Sequence, residues 1–419
     1  MTVRETAEVT IEKLVHRGAG LGRLPDGKAV FVPYSVPGER LRVHVTEERA
    51  SFARGVIEEI LTSAPGRREP PCPYFGECGG CQLMHLEYAR QLEWKQKILA
   101  EIWRHQQPAD CGTSRHREFG YRQRIRLHVR PEADRLGFMH QNTKSIVNIE
   151  DCLLCHPAIR ETFPWLRRQL LPKLLELALP VREILLAAGD DPPAAVWLQS
   201  SSPLDGRQLA RLRRWSPYPL SGSGAGKDAP RVRLDIGGVC FEVSPDTFFQ
   251  ANSGAVAELW QHPALEVPPE SRVLELYAGL GLFTLFLARR VREVCAVEGN
   301  PEARRLFDRN LALNPAAHVT FHQHSVERWL EEWRGDRPTV DTLFLDPPRT
   351  GLSRPVRQRL PELSFRRILY LSCDATTQHR DLQAWLNGGE YGLKSLTMFD
   401  FFPNTFHFEC LARLYEHGS

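Results

Sequence analysis

Val273-Leu-Glu275-Leu-Tyr277-Ala-Gly279-Leu-Gly281-Leu-Phe-Thr284 decides the fold of the C-terminal half. An apolar run enters a glycine turn and leaves it as a helix, which is how a strand opens its backbone to a ligand. Ala296-Val-Glu298-Gly-Asn300 closes the next strand, and an acid there can hydrogen-bond a ribose. Alone, the pattern also fits a dinucleotide enzyme, but the third glycine of that fingerprint is missing and Leu282 and Phe283 follow Gly281. Thr342-Leu-Phe-Leu-Asp346-Pro-Pro-Arg349-Thr-Gly351 is a third strand ending on an acid, with two prolines that fix a rigid, donor-free turn. A fourth runs from Arg367 into Leu369-Tyr-Leu-Ser-Cys373-Asp-Ala-Thr-Thr377 and sets a thiol at a strand's carboxyl end, where α/β folds bind ligands. A lone cysteine on a strand is ordinarily small apolar filler. The company of Cys373 argues otherwise: Phe399-Asp-Phe-Phe-Pro403-Asn-Thr-Phe-His407-Phe-Glu409 supplies one more strand end and a carboxylate, so a nucleophile and a base can face one cleft.

The chain has 419 residues, enough for two or three domains, and 42% of them are apolar. No apolar run approaches the roughly 18 residues of a membrane span, and the first eight residues lack a signal-peptide core, so a cytoplasmic protein is expected. With 54 basic and 51 acidic residues the net charge is +3, compatible with RNA but not an argument for it. Ten cysteines in such a chain favour metal or catalytic roles over disulfides.

Residues 9–61 hold short β-rich runs punctuated by Gly18-Ala-Gly20-Leu-Gly22, Pro25-Asp-Gly27 and Pro37-Gly38. A barrel of about five strands removes their exposed edges. Arg17, Arg23, Lys28 and Arg54 are candidate phosphate contacts there. After a Pro/Gly/Arg linker, Cys72-Pro-Tyr-Phe-Gly-Glu-Cys78-Gly-Gly-Cys81 gathers three thiols in ten residues, a metal-site signal. Zinc prefers two separated pairs; three plus one remote cysteine suits a cubane cluster. Leu86–Trp103 reads as a helix with Tyr88, Leu92, Leu99 and Ile102 on one face. From Tyr121 to Arg130 the sequence alternates, giving an arginine-rich face suited to a phosphate track with nearby aromatics. Residues 164–215 carry no visible chemistry, and Ser216–Arg231 is a loop or hinge.

With these motifs in order, the chain closely resembles the RNA uracil-5 methyltransferases, and among them the iron–sulfur enzymes that act on 23S ribosomal RNA. Phe248-Phe249-Gln250-x-Asn252, the G-x-G strand end, Asp346-Pro-Pro-Arg349-x-Gly351, Ser372-Cys373-x-x-Thr376 and His407-x-Glu409 carry the resemblance over most of the chain. It implies an α/β class I S-adenosylmethionine (SAM)-dependent methyltransferase domain over 236–419, Rossmann-like, with a seven-stranded sheet whose last strand is antiparallel. It further implies an OB-type TRAM barrel over 1–62 and a central α+β domain over 63–235 bearing a [4Fe-4S] cluster on Cys72, Cys78, Cys81 and Cys152, with Cys155 competing as the fourth ligand.

By the same resemblance Cys373 attacks uracil C6, C5 takes the methyl of SAM, and Glu409 accepts the C5 proton. Gln250, Tyr277, Gly279, Glu298, Ser325 and Asp346 line the SAM side, Asp346 also orienting the uracil edge. The implied partner is RNA, 23S rRNA before transfer RNA, bound by a monomer. A radical methylthiolation enzyme is a poor fit, because its cluster wants a C-x3-C-x2-C spacing. Glu275, Ser325 and Asp374-Ala375 depart from the family pattern, which leaves room for a catalytically impaired RNA-binding protein. Asp374 in particular is expected to disfavour the Cys373 thiolate unless Arg349 or Arg380 offsets it.

Overall fold

The computed structural model describes residues 6–418 apart from 107, 109–111, 142, 226–228 and 334–339. The sequence expectations for the extreme N-terminus and for part of the Ser216–Arg231 loop fall on residues outside these. The chain divides into two compact units. One is Met1–Glu101 with Phe138–Ile149 and Phe402–His407; the other is Ile102–Gly137, Glu150–Phe401 and Phe408–Ser419.

In the first unit β1 (Ala7–Leu14), β2 (Gly20–Arg23), β3 (Ala29–Val32), β4 (Arg40–Glu48) and β5 (Phe52–Thr62) close a barrel in the order β1-β2-β3-β5-β4. Alternate residues such as Val9, Ile11, Val30, Val32, Leu41 and Val43 fill it, as the two-residue period of a strand requires. Gly18, Gly27 and Gly38 punctuate the barrel in turns as expected, whereas Gly20 and Gly22 form β2. A Cβ on Gly22 would run into the Val9 side chain and the Thr10 carbonyl, so glycine is what lets β2 lie against β1. Of the candidate phosphate contacts, Arg23 pairs with Glu12 at 3.4 Å, Lys28 with Glu48 at 2.5 Å and Arg54 with Glu47 at 3.3 Å.

The helix α1 (Tyr88–Ile102) buries Tyr88, Gln91, Lys95, Ile98 and Leu99 rather than the expected Leu92 and Ile102. The reason is polar. Asn404 donates its backbone N–H to Gln91 Oε1 at 2.8 Å, Gln91 returns a bond to Asn404 Oδ1 at 3.1 Å, and Lys95 Nζ donates to the carbonyls of Phe402 and His407 at 3.2 and 3.0 Å. These bonds offset the desolvation of a buried amide and ammonium.

In the second unit, Val181–Ala187 pairs antiparallel with both Arg124–Arg130 and Ala195–Ser200. Ile125, Leu127 and Val129 are buried, so the arginines do share the other face, although Glu183 lies 3.5 Å from Arg126 and 3.4 Å from His128 and neutralises part of it. The large sheet contains β6 (Thr113–Ser114), β7 (Arg272–Leu276), β8 (Glu293–Val297), β9 (Val319–His322), β10 (Thr342–Leu345), β11 (Arg367–Ser372), β12 (Tyr391–Phe399) and β13 (Glu409–Glu416). Their order is β9-β8-β7-β10-β11-β13-β12-β6. The core strands run parallel, while β13 is antiparallel to both β11 and β12. The expected seven strands are all present, but the sheet has eight: the two-residue β6 pairs beside Met398 and Phe399, too short to show any periodicity. Four parallel strands therefore end together on one rim, where Tyr277, Glu298, Asp346 and Cys373 follow them. Among the described residues no helix is long and apolar enough to cross a membrane.

Candidate active site

Antiparallel register places the two chemical groups opposite each other. Ser372 of β11 pairs with Cys410 of β13, so one step further Cys373 faces Glu409. Directly opposed residues point to the same side, with Cβ atoms about 4.5–5.5 Å apart. Buried Gln378 clamps the pair of strands, donating to the carbonyls of Tyr370 at 2.6 Å and Cys410 at 2.8 Å.

Burial pushes the Cys373 thiol up to about 12, and the charges of Glu409 and Asp346 add to this while Arg349, which also hydrogen-bonds the thiol, opposes it. Glu409 is 2% exposed and its Oε2 has no hydrogen-bond partner among the described residues. Burial, then the charge of Asp346, hold its carboxyl well above the ordinary range, again against Arg349. Asp346 itself is pushed up to about 7 by burial. The site is thus a proton-rich thiol and carboxyl pair with a single opposing cation, Arg349, common to both members.

The expected interference from Asp374 is not what the structure contains. Its carboxylate caps the helix Ala375–Asn387, accepting from the N–H groups of Thr376 at 2.9 Å and Thr377 at 3.1 Å. Arg349 offsets the thiol as expected, but Arg380 is engaged with Asp381 at 2.7 Å. Asp381 is a residue that sequence reasoning missed. It is 1% exposed and accepts from Leu352 N–H at 2.7 Å and the Tyr370 hydroxyl at 2.8 Å, tying the turn after Arg349 to β11 and to the helix behind the thiol. Its only sequence signal is an acid on the inner face of that helix.

On the other strand ends, Tyr277 takes φ +67° and Gly279 φ +55°, a left-handed turn that costs a non-glycine residue strain and is found at ligand sites. Nothing stands within 4 Å of where a Gly279 Cβ would be, so the backbone is open there. Glu298 holds the turn in place, accepting from Gly279 N–H at 3.0 Å and Asn300 N–H at 2.6 Å. Ser325 caps the helix Val326–Glu331. Glu275 lies beneath, 1% exposed, accepting from Thr284 Oγ1 at 2.5 Å; burial pushes it up to about 8. Gln250 is buried, and Asn252 both caps the helix Ser253–Gln261 and donates to the Phe401 carbonyl at 3.0 Å. Open backbone, acidic strand ends and buried amides suit the ribose and amino-acid groups of SAM.

Cys72, Cys78 and Cys81 lie in the turns of the first unit, half-buried, and the charges of Cys78 and Cys81 reinforce the burial that pushes the Tyr34 hydroxyl up to about 12. Cys152 belongs to the second unit. The hydrogen bond from Cys155 brings its thiol down to about 7 against the effect of burial, and Cys155 is held well above its usual value. Among the described residues no three Cys, His, Asp or Glu side chains are grouped as a metal ion requires.

A parallel sheet with an antiparallel insertion and this rim defines a SAM-dependent methyltransferase fold. Residues 231–416 match the family described as tRNA (Uracil-5-)-methyltransferase, and residues 1–57 match the TRAM domain. A Halomonas elongata protein named 23S rRNA (uracil(1939)-C(5))-methyltransferase is 33% identical, over 98% of this chain and 89% of its own. An Aquifex aeolicus protein named only as an RNA methyltransferase is 32% identical over 97% and 98%. The crystal structure of Pyrococcus abyssi tRNA (uracil-54, C5)-methyltransferase with S-adenosyl-L-homocysteine superposes with a TM-score of 0.75 at 25% identity, covering 97% of this chain and all of that one. The chain belongs to the RNA uracil-5 methyltransferase family and is a SAM-dependent enzyme with an N-terminal TRAM domain.

Proposed function

We propose that the protein methylates C5 of one uridine in 23S ribosomal RNA through a transient bond between Cys373 and C6, acting as a cytoplasmic monomer. The observation that carries this is the cross-strand opposition of Cys373 and Glu409 with Arg349 acting on both. Bound SAM supplies an electrophilic methyl group. Cys373, deprotonated beside Arg349, adds to C6, and the C5–C6 π electrons pass to the C4 oxygen, leaving C5 nucleophilic. C5 would take the methyl with S-adenosylhomocysteine as leaving group; Glu409, in its carboxylate form, then takes the C5 proton, the C5–C6 double bond re-forms and Cys373 leaves as thiolate. Asp346, pushed up to about 7 by burial, keeps a sizeable protonated fraction near neutral pH and in that form is suited to donate to the uracil edge. Gln250, Tyr277, Gly279, Glu298 and Ser325 hold SAM, and the target nucleotide is turned out of its stack.

Ribosomal RNA is favoured because relatives named for it align over nearly the whole chain, TRAM segment included. Transfer RNA is the second reading, favoured by the Pyrococcus abyssi likeness. Cys72, Cys78 and Cys81, by their spacing, and Cys152, by the family resemblance and with Cys155 as its competitor, remain the proposed [4Fe-4S] ligands, and no catalytic step depends on the cluster. RNA containing 5-fluorouridine is expected to trap a SAM-dependent covalent adduct that Cys373→Ala abolishes. An adduct surviving that substitution would remove the proposed nucleophile. Mapping of methyluridine in rRNA and tRNA from a deletion strain decides the substrate, and iron and sulfide analysis of Cys78→Ser protein decides the cluster.

A further inference from the structure

At the rim of the sheet opposite the thiol lies an arginine-rich recess. Arg367 opens β11 and pairs with Tyr415 of β13, which places both about 20 Å along the strand from Cys373. A cavity of about 620 Å³ there is lined by Arg290, Arg367, Arg413 and Tyr415, and also by Glu266. Arg290 also lines a second hollow of about 270 Å³ with Arg289, Trp260 and Phe286.

Cations and aromatic faces alternate along this surface. The guanidinium of Arg413 is 4.9 Å from the centre of the Tyr415 ring and that of Arg367 is 5.7 Å. Arg290 lies 4.0 Å over Phe286, which stacks on Trp260 at 4.9 Å. Arg289 donates to the Gly237 carbonyl, Arg290 to that of Trp260, and Arg413 to those of Pro263 and Glu266, each at 3.2 Å. Among the described residues none of these three arginines has a carboxylate partner, and Arg413 Nε is buried with no acceptor. Arg367 alone is near an acid, Asp341, at 3.7 Å. Burial and the neighbouring Arg289 lower the pKa of Arg290, a crowding that a bound anion relieves.

We propose that this recess is a second RNA contact, binding a phosphodiester segment of the substrate remote from the methylated uridine. The inference rests on RNA being the substrate. Trp260 and Phe286 are buried, so the rings serve to hold the guanidiniums in place, and planar guanidinium forks so held match the oxygens of a phosphodiester. A short oligonucleotide that reaches only the thiol cleft does not meet the recess, whereas a long RNA does.

The test uses the full-length enzyme with the exposed pair changed, Arg289→Gln with Arg290→Gln, and compares a 23S rRNA transcript with a short uridine oligonucleotide over a range of salt. On the transcript, affinity at low salt is expected to fall ~10-fold and the slope of log K against log salt to lose about 1.4–1.8, the share of two phosphates. kcat at saturation and all kinetics on the oligonucleotide stay unchanged. Lysine at both positions restores the slope, and Arg214→Gln, elsewhere on the unit, has no effect. An unchanged slope on the transcript overturns the proposal, as does an equal loss on both RNAs. Protection of the wild type by AMP, lost in the variant with RNA binding intact, would make the recess a mononucleotide site and overturn it too. Failure of the wild type to methylate any uridine would instead overturn the enzymatic reading.

Discussion

Arg349→Gln is expected to slow attack on the uracil ring and move its pH dependence upward. Below its pKa a thiol reacts through its thiolate fraction, which rises tenfold per pH unit; with Cys373 pushed up to about 12, attack should quicken across the neutral and mildly alkaline range. Arg349 is the cation that opposes this shift, through its charge and a hydrogen bond to the sulfur. A hydrogen bond to a charged group contributes about 1.5–3 kcal/mol. Because Arg349 is exposed, screening favours the lower end. About 1.5 kcal/mol raises the thiol by roughly one pH unit and cuts the thiolate at a given pH ~10-fold. Single-turnover formation of the 5-fluorouridine adduct reads this step directly, since trapping needs no proton removal at C5. Arg349→Lys, which keeps the charge but loses the fork, should fall between. An adduct rate equal to wild type at every pH, or a loss without any displacement of the profile, would refute the assignment of Arg349 to the sulfur.

Glu409→Gln should still form the covalent, methylated complex but hold it, so that release of tritium from C5 drops by ~10²–10⁴; ordinary tritium release would dismiss Glu409 as the base. Asp381→Ala strands Leu352 N–H and the Tyr370 hydroxyl and is expected to cost about 2–4 kcal/mol, read as a lower denaturant midpoint, with Asp381→Asn milder. A midpoint within error of wild type would remove Asp381 as the tie between the Arg349 turn and β11. Glu275 is raised in the fold from 4.5 to about 8, so its contribution is complete below pH 4.5 and is lost as the pH climbs through 8. Glu275→Gln keeps the acceptor for Thr284 and removes the titration. Its melting temperature should match wild type at pH 5 and exceed it at pH 9, and an equal deficit at both would contradict the shift.

Much of the site was legible because strand ends announce themselves: an apolar run that stops at Cys373, Asp346 or Glu298 needs no long-range information to be placed on a rim. The opposition of Cys373 and Glu409 was legible only as two strand ends, since the register between β11 and β13 is a tertiary fact. Where local patterns misled, a distant partner was responsible. Gln91 and Lys95 look like a solvated helix face until residues some three hundred positions later present carbonyls and an amide to them. Gly20–Arg23 looks like a turn until Val9 arrives beside it. Asp374 looks like a charge beside a thiol until the helix it caps takes up its oxygens. The cysteine spacing names a class of centre, but whether four sulfurs converge is a matter of coordinates.

The six residues Phe402–His407 belong to the same unit as the first 101, and this sets an order of events during synthesis. While a ribosome is still making the catalytic sheet, the nascent N-terminal portion carries Gln91 and Lys95 before Phe402, Asn404 and His407 exist; Leu86 already accepts from Gln91, and water must serve the bonds those later residues will take. Only when Asn404 emerges do they lose that water. A fragment cut after Glu101 should therefore stay loose around α1 even with its barrel formed, and long-range closure of this kind makes maturation of the whole chain slow.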